Sequence, residues 1–212
     1  AAREAGVERV LTVGSADVYG KVTPDELPLT EASPLRPTSP YAASKVAAES
    51  VAEQAFVGYG QQVVRARPFN HLGPGQSTRF VAPALAERIA RNEITGESKL
   101  AVGNLSSKRD FTDVRDVVKA YRSMMLDGEP GEVYNVCSGE AIAVQDLAEA
   151  LIELSTIEQE LVTDPELMRP VDIPVLLGDS DRLRRATGWK PEVPLPQTLS
   201  DLLDDMRSRV AD

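Results

Sequence analysis

Two hydrophobic rhythms alternate along the chain: short continuous runs of Val and Leu, and longer stretches in which apolar residues return every three or four positions. The opening AAREAG reads as the last turns of a helix capped by Gly6, and the run VERVLTVGS behind it reads as a buried strand bounded by glycines. A proline-rich loop over 23–40 leads to a helical pattern from Tyr41 to about Gly60, with Val46, Ala47, Val51, Ala55 and Phe56 at helical spacing. QQVVRARPF predicts a second buried strand. Farther on, the pattern predicts helices over 80–92, 114–126 and 144–154, and strands at LAVG near Leu100, VYNVCS near Val133 and LVT near Leu161. A proline-punctuated loop runs to Gly178, followed by helices near 179–187 and 195–210. Strands alternating with helices predict an α/β protein with a largely parallel sheet covered on both faces.

Composition narrows the chemistry. With 23 Lys plus Arg against 33 Asp plus Glu, a net charge of -10, the chain lacks the clustered cations of a nucleic-acid surface, although it can still hold an anionic ligand locally. No apolar run is long enough to span a bilayer, and AAREAGVERV lacks the order of a signal peptide, so a soluble, cytoplasmic protein is expected, with no membrane partner. The single cysteine, Cys137, permits no internal disulfide and no structural zinc cluster; in an apolar strand it reads as a buried, inert thiol. The single histidine, His71, excludes a His-rich metal site, and no metal is expected.

Candidate chemistry gathers at three element ends. Tyr41 and Lys45 stand four apart at the start of the long helix, so their side chains emerge on one face about one turn apart. A YxxxK pair alone is weak, but Ser15 stands at the carboxyl end of the first strand and Asn70 and His71 at the end of the second, where the ligand crevice of an α/β sheet opens. One absence weighs against a complete dinucleotide fold. No GxGxxG or GxxGxxG occurs anywhere, so the chain either has another fold or lacks the first half of this one.

The segments VGSADVYG, PTSPYAASKVAAE, RARPFNHLGPGQ, GNLSSKRDFTDVRDVVKAY, EVYNVCSG and RPVDIPVLLGDSDRLRRATGW resemble the extended short-chain dehydrogenases/reductases that act on nucleotide sugars. The resemblance covers nearly the whole chain. It implies an incomplete Rossmann-like parallel sheet joined to a smaller C-terminal substrate-binding lobe, with the glycine-rich N-terminal part missing. Residues 1–75 would be the C-terminal part of the NAD(P)-binding domain. Residues 76–212 would be mainly the nucleotide-sugar lobe, with about 113–138 returning to the sheet.

The implied activity is reduction of the 4-keto group of a GDP-linked 6-deoxyhexose with NADP as cofactor, NAD being the alternative, in a protein that is a homodimer at full length. Tyr41 would be the proton donor, since a lysine ammonium one turn away favours the phenolate and brings the donor's pKa down toward operating pH. Ser15 would hydrogen-bond the substrate oxygen; Tyr41, Lys45, Pro68 and His71 would meet the cofactor. Asn70, Arg79, Phe80, Val81, Arg109 and Arg169 would hold the nucleotide sugar, the arginines reaching its diphosphate from loops. Where dehydratase relatives carry a paired acid and base, this chain has Ala16 and Asp17, which favours reduction over elimination; Asp17 stays a possible acid/base group or a solvated loop carboxylate. The rival readings are a 4,6-dehydratase or epimerase, and a non-catalytic nucleotide-sugar binder or inactive fragment.

Overall fold

The computed structural model describes residues 1–168 and 173–211. Its first sheet is parallel, with strands β1 (Arg9–Val13), β2 (Gln62–Pro68) and β6 (Val133–Val136) in the order β1-β2-β6. Alternation along β2 decides what covers each face. Val64 and Ala66 face helix α3 (Val114–Asp127), where Val117, Ala120 and Met124 close a core together with Leu183 of helix α5 (Asp181–Thr187) and Trp189. Arg65 and Arg67 face the other way, onto helix α1 (Pro40–Tyr59) and its Glu49.

A second sheet runs in the order β3 (Asn70–Leu72), β5 (Lys108–Asp113), β7 (Ala141–Ala143), with β9 (Val175–Leu176) also on β5; β5 and β7 are antiparallel. β4 (Lys99–Val102) and β8 (Glu160–Thr163) form a parallel pair. Helices α2 (Val81–Thr95), α4 (Val144–Glu153) and α6 (Leu195–Ala211) bury Leu85, Ile89, Leu147, Leu151, Leu202 and Met206 in one core beside Leu100. A third core, of Ala16, Val18, Tyr19, Leu29, Phe69 and Leu176, lies where the sheets meet.

Several expectations need correction. Beside the expected parallel sheet stand a mixed sheet and a separate two-stranded pair: KRDFTD forms β5 and AIA forms β7, the first too polar and the second too short to read as strands. Arg109 therefore lies in a strand, not a loop. β1 is half-exposed, since only one of its edges is paired among the described residues. The opening segment is one turn, closed by Val7 N–H on the Ala2 carbonyl at 3.0 Å. On α1 the buried residues are Ala42, Glu49 and Ala52, while Ala47 and Val51 face outward: Arg65 and Arg67 draw the helix's carboxylate side onto the sheet.

Candidate active site

The rim begins where β1 ends. Gly14 lies flush on β2, its N–H donating to the Ala66 carbonyl at 2.7 Å, and a Cβ there would stand 2.9 Å from that same oxygen. The backbone then enters a short 3-10 turn (Ala16–Tyr19) capped by Ser15, whose Oγ accepts from the Asp17 N–H at 3.2 Å. Ala16, Val18 and Tyr19 are buried beneath, which leaves Ser15 and Asp17 on the rim. Tyr19 is locked from below: its hydroxyl donates to Asn135 Oδ1 at 2.6 Å and accepts from Arg67 Nη1 at 3.0 Å. Burial pushes that phenol up to about 12, so it remains a neutral link.

α1 enters from the other side, with Ser39 as N-cap and Pro40 in its first turn. Tyr41 is 52% exposed. Lys45 Nζ donates to the Val13 carbonyl at 3.1 Å and sits 5.6 Å from the Tyr41 ring centroid. An ammonium carries three N–H donors, so this anchor leaves two for a ligand. β2 stops at Pro68, and Asn70 and His71 belong to β3 of the neighbouring sheet rather than to the end of β2. His71 Nδ1 lies 3.1 Å from the Phe69 carbonyl, a contact that places the proton on Nδ1 and leaves Nε2 as the acceptor in the neutral ring.

One cavity of about 580 Å³ gathers Ser15, Asp17, Tyr41, Lys45, Pro68, Asn70, His71 and Phe80. Arg79 and Val81 do not join it; with Phe80, Arg88 and Asn104 they line an adjoining cavity of about 360 Å³. Asp17 keeps an exposed edge, yet burial raises its carboxyl pKa, with the Arg109 guanidinium pulling it partly back. Arg109 is half-buried in β5, its own pKa lowered by burial against the pull of Asp17. Among the described residues no hydrogen bond or ion pair joins it to Asp17; its Nη1 donates to the Lys108 carbonyl at 2.8 Å, and it does not line the cavity. Arg169 lies outside the described residues. Cys137 follows β6, is buried, and has its thiol pushed up by burial and by Asp110.

Two polar side chains of the first cavity had no signal in the sequence, Gln76 and Tyr121. Gln76 follows GPG in a loop with no periodicity. Tyr121 sits among the apolar positions of α3, where an aromatic reads as core; burial, with Tyr41 nearby, lifts its phenol to about 12.

Residues 1–202 match the family described as GDP-mannose 4,6 dehydratase. The chain belongs to that family, within the extended short-chain dehydrogenases/reductases. A GDP-6-deoxy-D-mannose reductase of Pseudomonas aeruginosa is 43% identical over 201 residues, covering 94% of this chain and 66% of that protein. A dTDP-D-glucose 4,6-dehydratase of mouse is 35% identical over 200 residues, covering 92% and 54%. In structure, the family member superposes on RMD from Pseudomonas aeruginosa, solved in complex with NADPH, with a TM-score of 0.93 at 42% identity, covering 98% of this chain and 69% of that one. It therefore spans between about half and two thirds of the length of these curated relatives.

Proposed function

We propose that the protein reduces the 4-keto group of a GDP-linked 6-deoxyhexose with NADPH. The observation that carries the reading is the convergence of Ser15, Tyr41 and Lys45 on one cavity, with the buried methyl of Ala16 beside them. Ser15 Oγ holds the ketone oxygen and Tyr41 hands its phenolic proton to that oxygen as the alkoxide forms. Lys45 steadies the resulting phenolate and offers its two remaining N–H donors to ribose hydroxyls. Pro68 and His71 line the same wall. When bound, the nicotinamide supplies the two electrons of the reduction as hydride. The cavity fits that group: it is open at Tyr41, and the Lys45 ammonium is already anchored at the end of β1.

Elimination of water needs one group to remove a proton and another to protonate the leaving hydroxyl. Ala16 can do neither, which leaves Asp17 alone and favours reduction over the 4,6-dehydratase reading. Asn70 and the adjoining cavity, with Arg79, Phe80 and Val81, would take the sugar and its nucleoside diphosphate, Arg79 and Arg88 supplying cations. Arg109 and Arg169 remain further candidates for the diphosphate. The division into a cofactor domain over 1–75 and a sugar lobe over 76–212, with 113–138 returning, is supported by β6 lying beside β2. A cytoplasmic homodimer at full length fits a chain in which, among the described residues, no helix is long and apolar enough to cross a membrane, and in which α1 leaves Val51 and Val57 exposed.

The deciding experiment supplies the full-length protein with the GDP-linked 4-keto-6-deoxyhexose and NADPH, and separately with GDP-mannose alone. Consumption of NADPH in the first reaction, without build-up of a 4-keto product in the second, is expected. A 4-keto product accumulating from GDP-mannose at a normal enzymatic rate replaces this reading with the dehydratase one.

A further inference from the structure

The loop after β3 is the shared wall of the two cavities: Gln76 and Phe80 line the first, and Thr78, Arg79, Phe80 and Val81 line the second. It is held from outside by the last helix. Asp205 Oδ2 accepts the Gly75 N–H at 3.0 Å, Arg209 Nη1 donates to the Gln76 carbonyl at 3.1 Å, and Arg209 Nη2 pairs with Asp205 at 2.8 Å. No residue of α6 lines either cavity. Inside the loop, Gln76 Nε2 donates to the His71 carbonyl at 3.0 Å, which ties the clamped segment to the wall that carries His71. Gly75, with φ of +88°, adopts a backbone conformation that other residues resist, and beyond the Gln76 N–H on the Gly73 carbonyl at 3.4 Å its turn is fixed by the bonds from α6.

The geometry points to Asp205 and Arg209 as positioning residues for nucleotide-sugar binding, acting through the loop over 73–80. This rests on the reading of the site as a nucleotide-sugar reductase. The clamp orders the wall that both cavities share before substrate arrives, so the ordering entropy is not charged against binding. Because that wall meets the substrate in the ground state and the transition state alike, loss of the clamp weakens binding more than turnover. The rest of α6 stays docked without it, through Thr198 on Asp113, Arg115 on Asp201 and Arg207 on Glu93.

The test uses full-length Asp205→Ala, with Asp205→Asn as the variant that keeps an acceptor for the Gly75 N–H. Amide hydrogen exchange is read at 75–80, and steady-state kinetics are measured with the 4-keto nucleotide sugar and NADPH. In Asp205→Ala, exchange at Gly75 accelerates and KM for the nucleotide sugar rises roughly tenfold, the equivalent of one charge-assisted hydrogen bond. The KM for NADPH and kcat stay within about twofold, since Tyr41 and Lys45 are carried by α1 and Pro68 and His71 by β2 and β3, whose own pairing the substitution leaves intact. The melting temperature moves by no more than about 4 °C, as expected for a partly exposed ion pair. Asp205→Asn recovers most of the loss in KM. Unchanged exchange at Gly75 overturns the clamp whatever the substrate is, and faster exchange with an unchanged KM overturns its role in binding. If the unsubstituted protein turns over no 4-keto sugar while Gly75 exchange still responds, the clamp stands and the reductase reading falls.

Discussion

Replacing Glu49 by alanine removes the counter-charge of a guanidinium that has nowhere else to go. Arg67 is 4% exposed, and Glu49 meets it in two parallel bonds, Nη2 to Oε1 at 2.5 Å and Nε to Oε2 at 3.0 Å. An arginine cannot shed its proton at any accessible pH, so the variant keeps a buried positive charge, satisfied only by the Tyr19 hydroxyl and the Glu31 carbonyl at 3.0 and 3.1 Å. Breaking a buried pair on one side costs about 3–5 kcal/mol, a large share of the roughly 5–15 kcal/mol that holds a domain together. At this chain length that is a fall in Tm of roughly 6–20 °C. The same network joins Tyr19 under the Ser15 turn to Asn135 of β6, so the candidate site loosens along with the fold. Denaturant unfolding followed by circular dichroism measures the effect. The double variant Glu49→Leu with Arg67→Met, which removes both charges and keeps apolar volume, is expected to recover most of the loss. A Glu49→Ala protein destabilised by less than about 1 kcal/mol would refute the reasoning, because that is the range of an exposed pair.

Other outcomes follow from the site and from the surface. Tyr41→Phe in the full-length protein lowers kcat by roughly 10² to 10⁴ while the KM for the nucleotide sugar barely moves, measured in steady-state assays, because the phenol proton acts only as the alkoxide forms. The 212-residue chain by itself binds NADPH more weakly than micromolar in a fluorescence titration, since it carries no glycine-rich turn to cradle the pyrophosphate. Glu93, held down to about 2 by its paired bonds from Arg207, contributes stability that is complete above its ordinary pKa of 4.5 and is lost as pH falls toward about 2. Arg207→Met is therefore expected to flatten the fall in stability across that acid window; an unchanged pH profile of unfolding would rule the pair out as its source.

Local chemistry determined much of this protein before any contact was known. Ser39 and Pro40 set the start of α1, and a helix fixes the angle between residues four apart, so Tyr41 and Lys45 had to share a face. The β-branched runs of β1 and β2 and the glycines around them likewise follow from backbone preference and burial. Long-range pairing decided the rest. KRDFTD is a strand because β3, β7 and β9 satisfy its backbone, and that pairing moved Arg109 from an expected loop into a half-buried strand position. Arg65 and Arg67 look like surface residues until the carboxylates of Glu49 and Glu53 meet them from α1; a charge is tolerated inside only when a partner comes with it. Gln76 and Tyr121 carry no periodic signal of a site at all. They line the cavity because two sheets and two helices meet at an angle that no local pattern encodes.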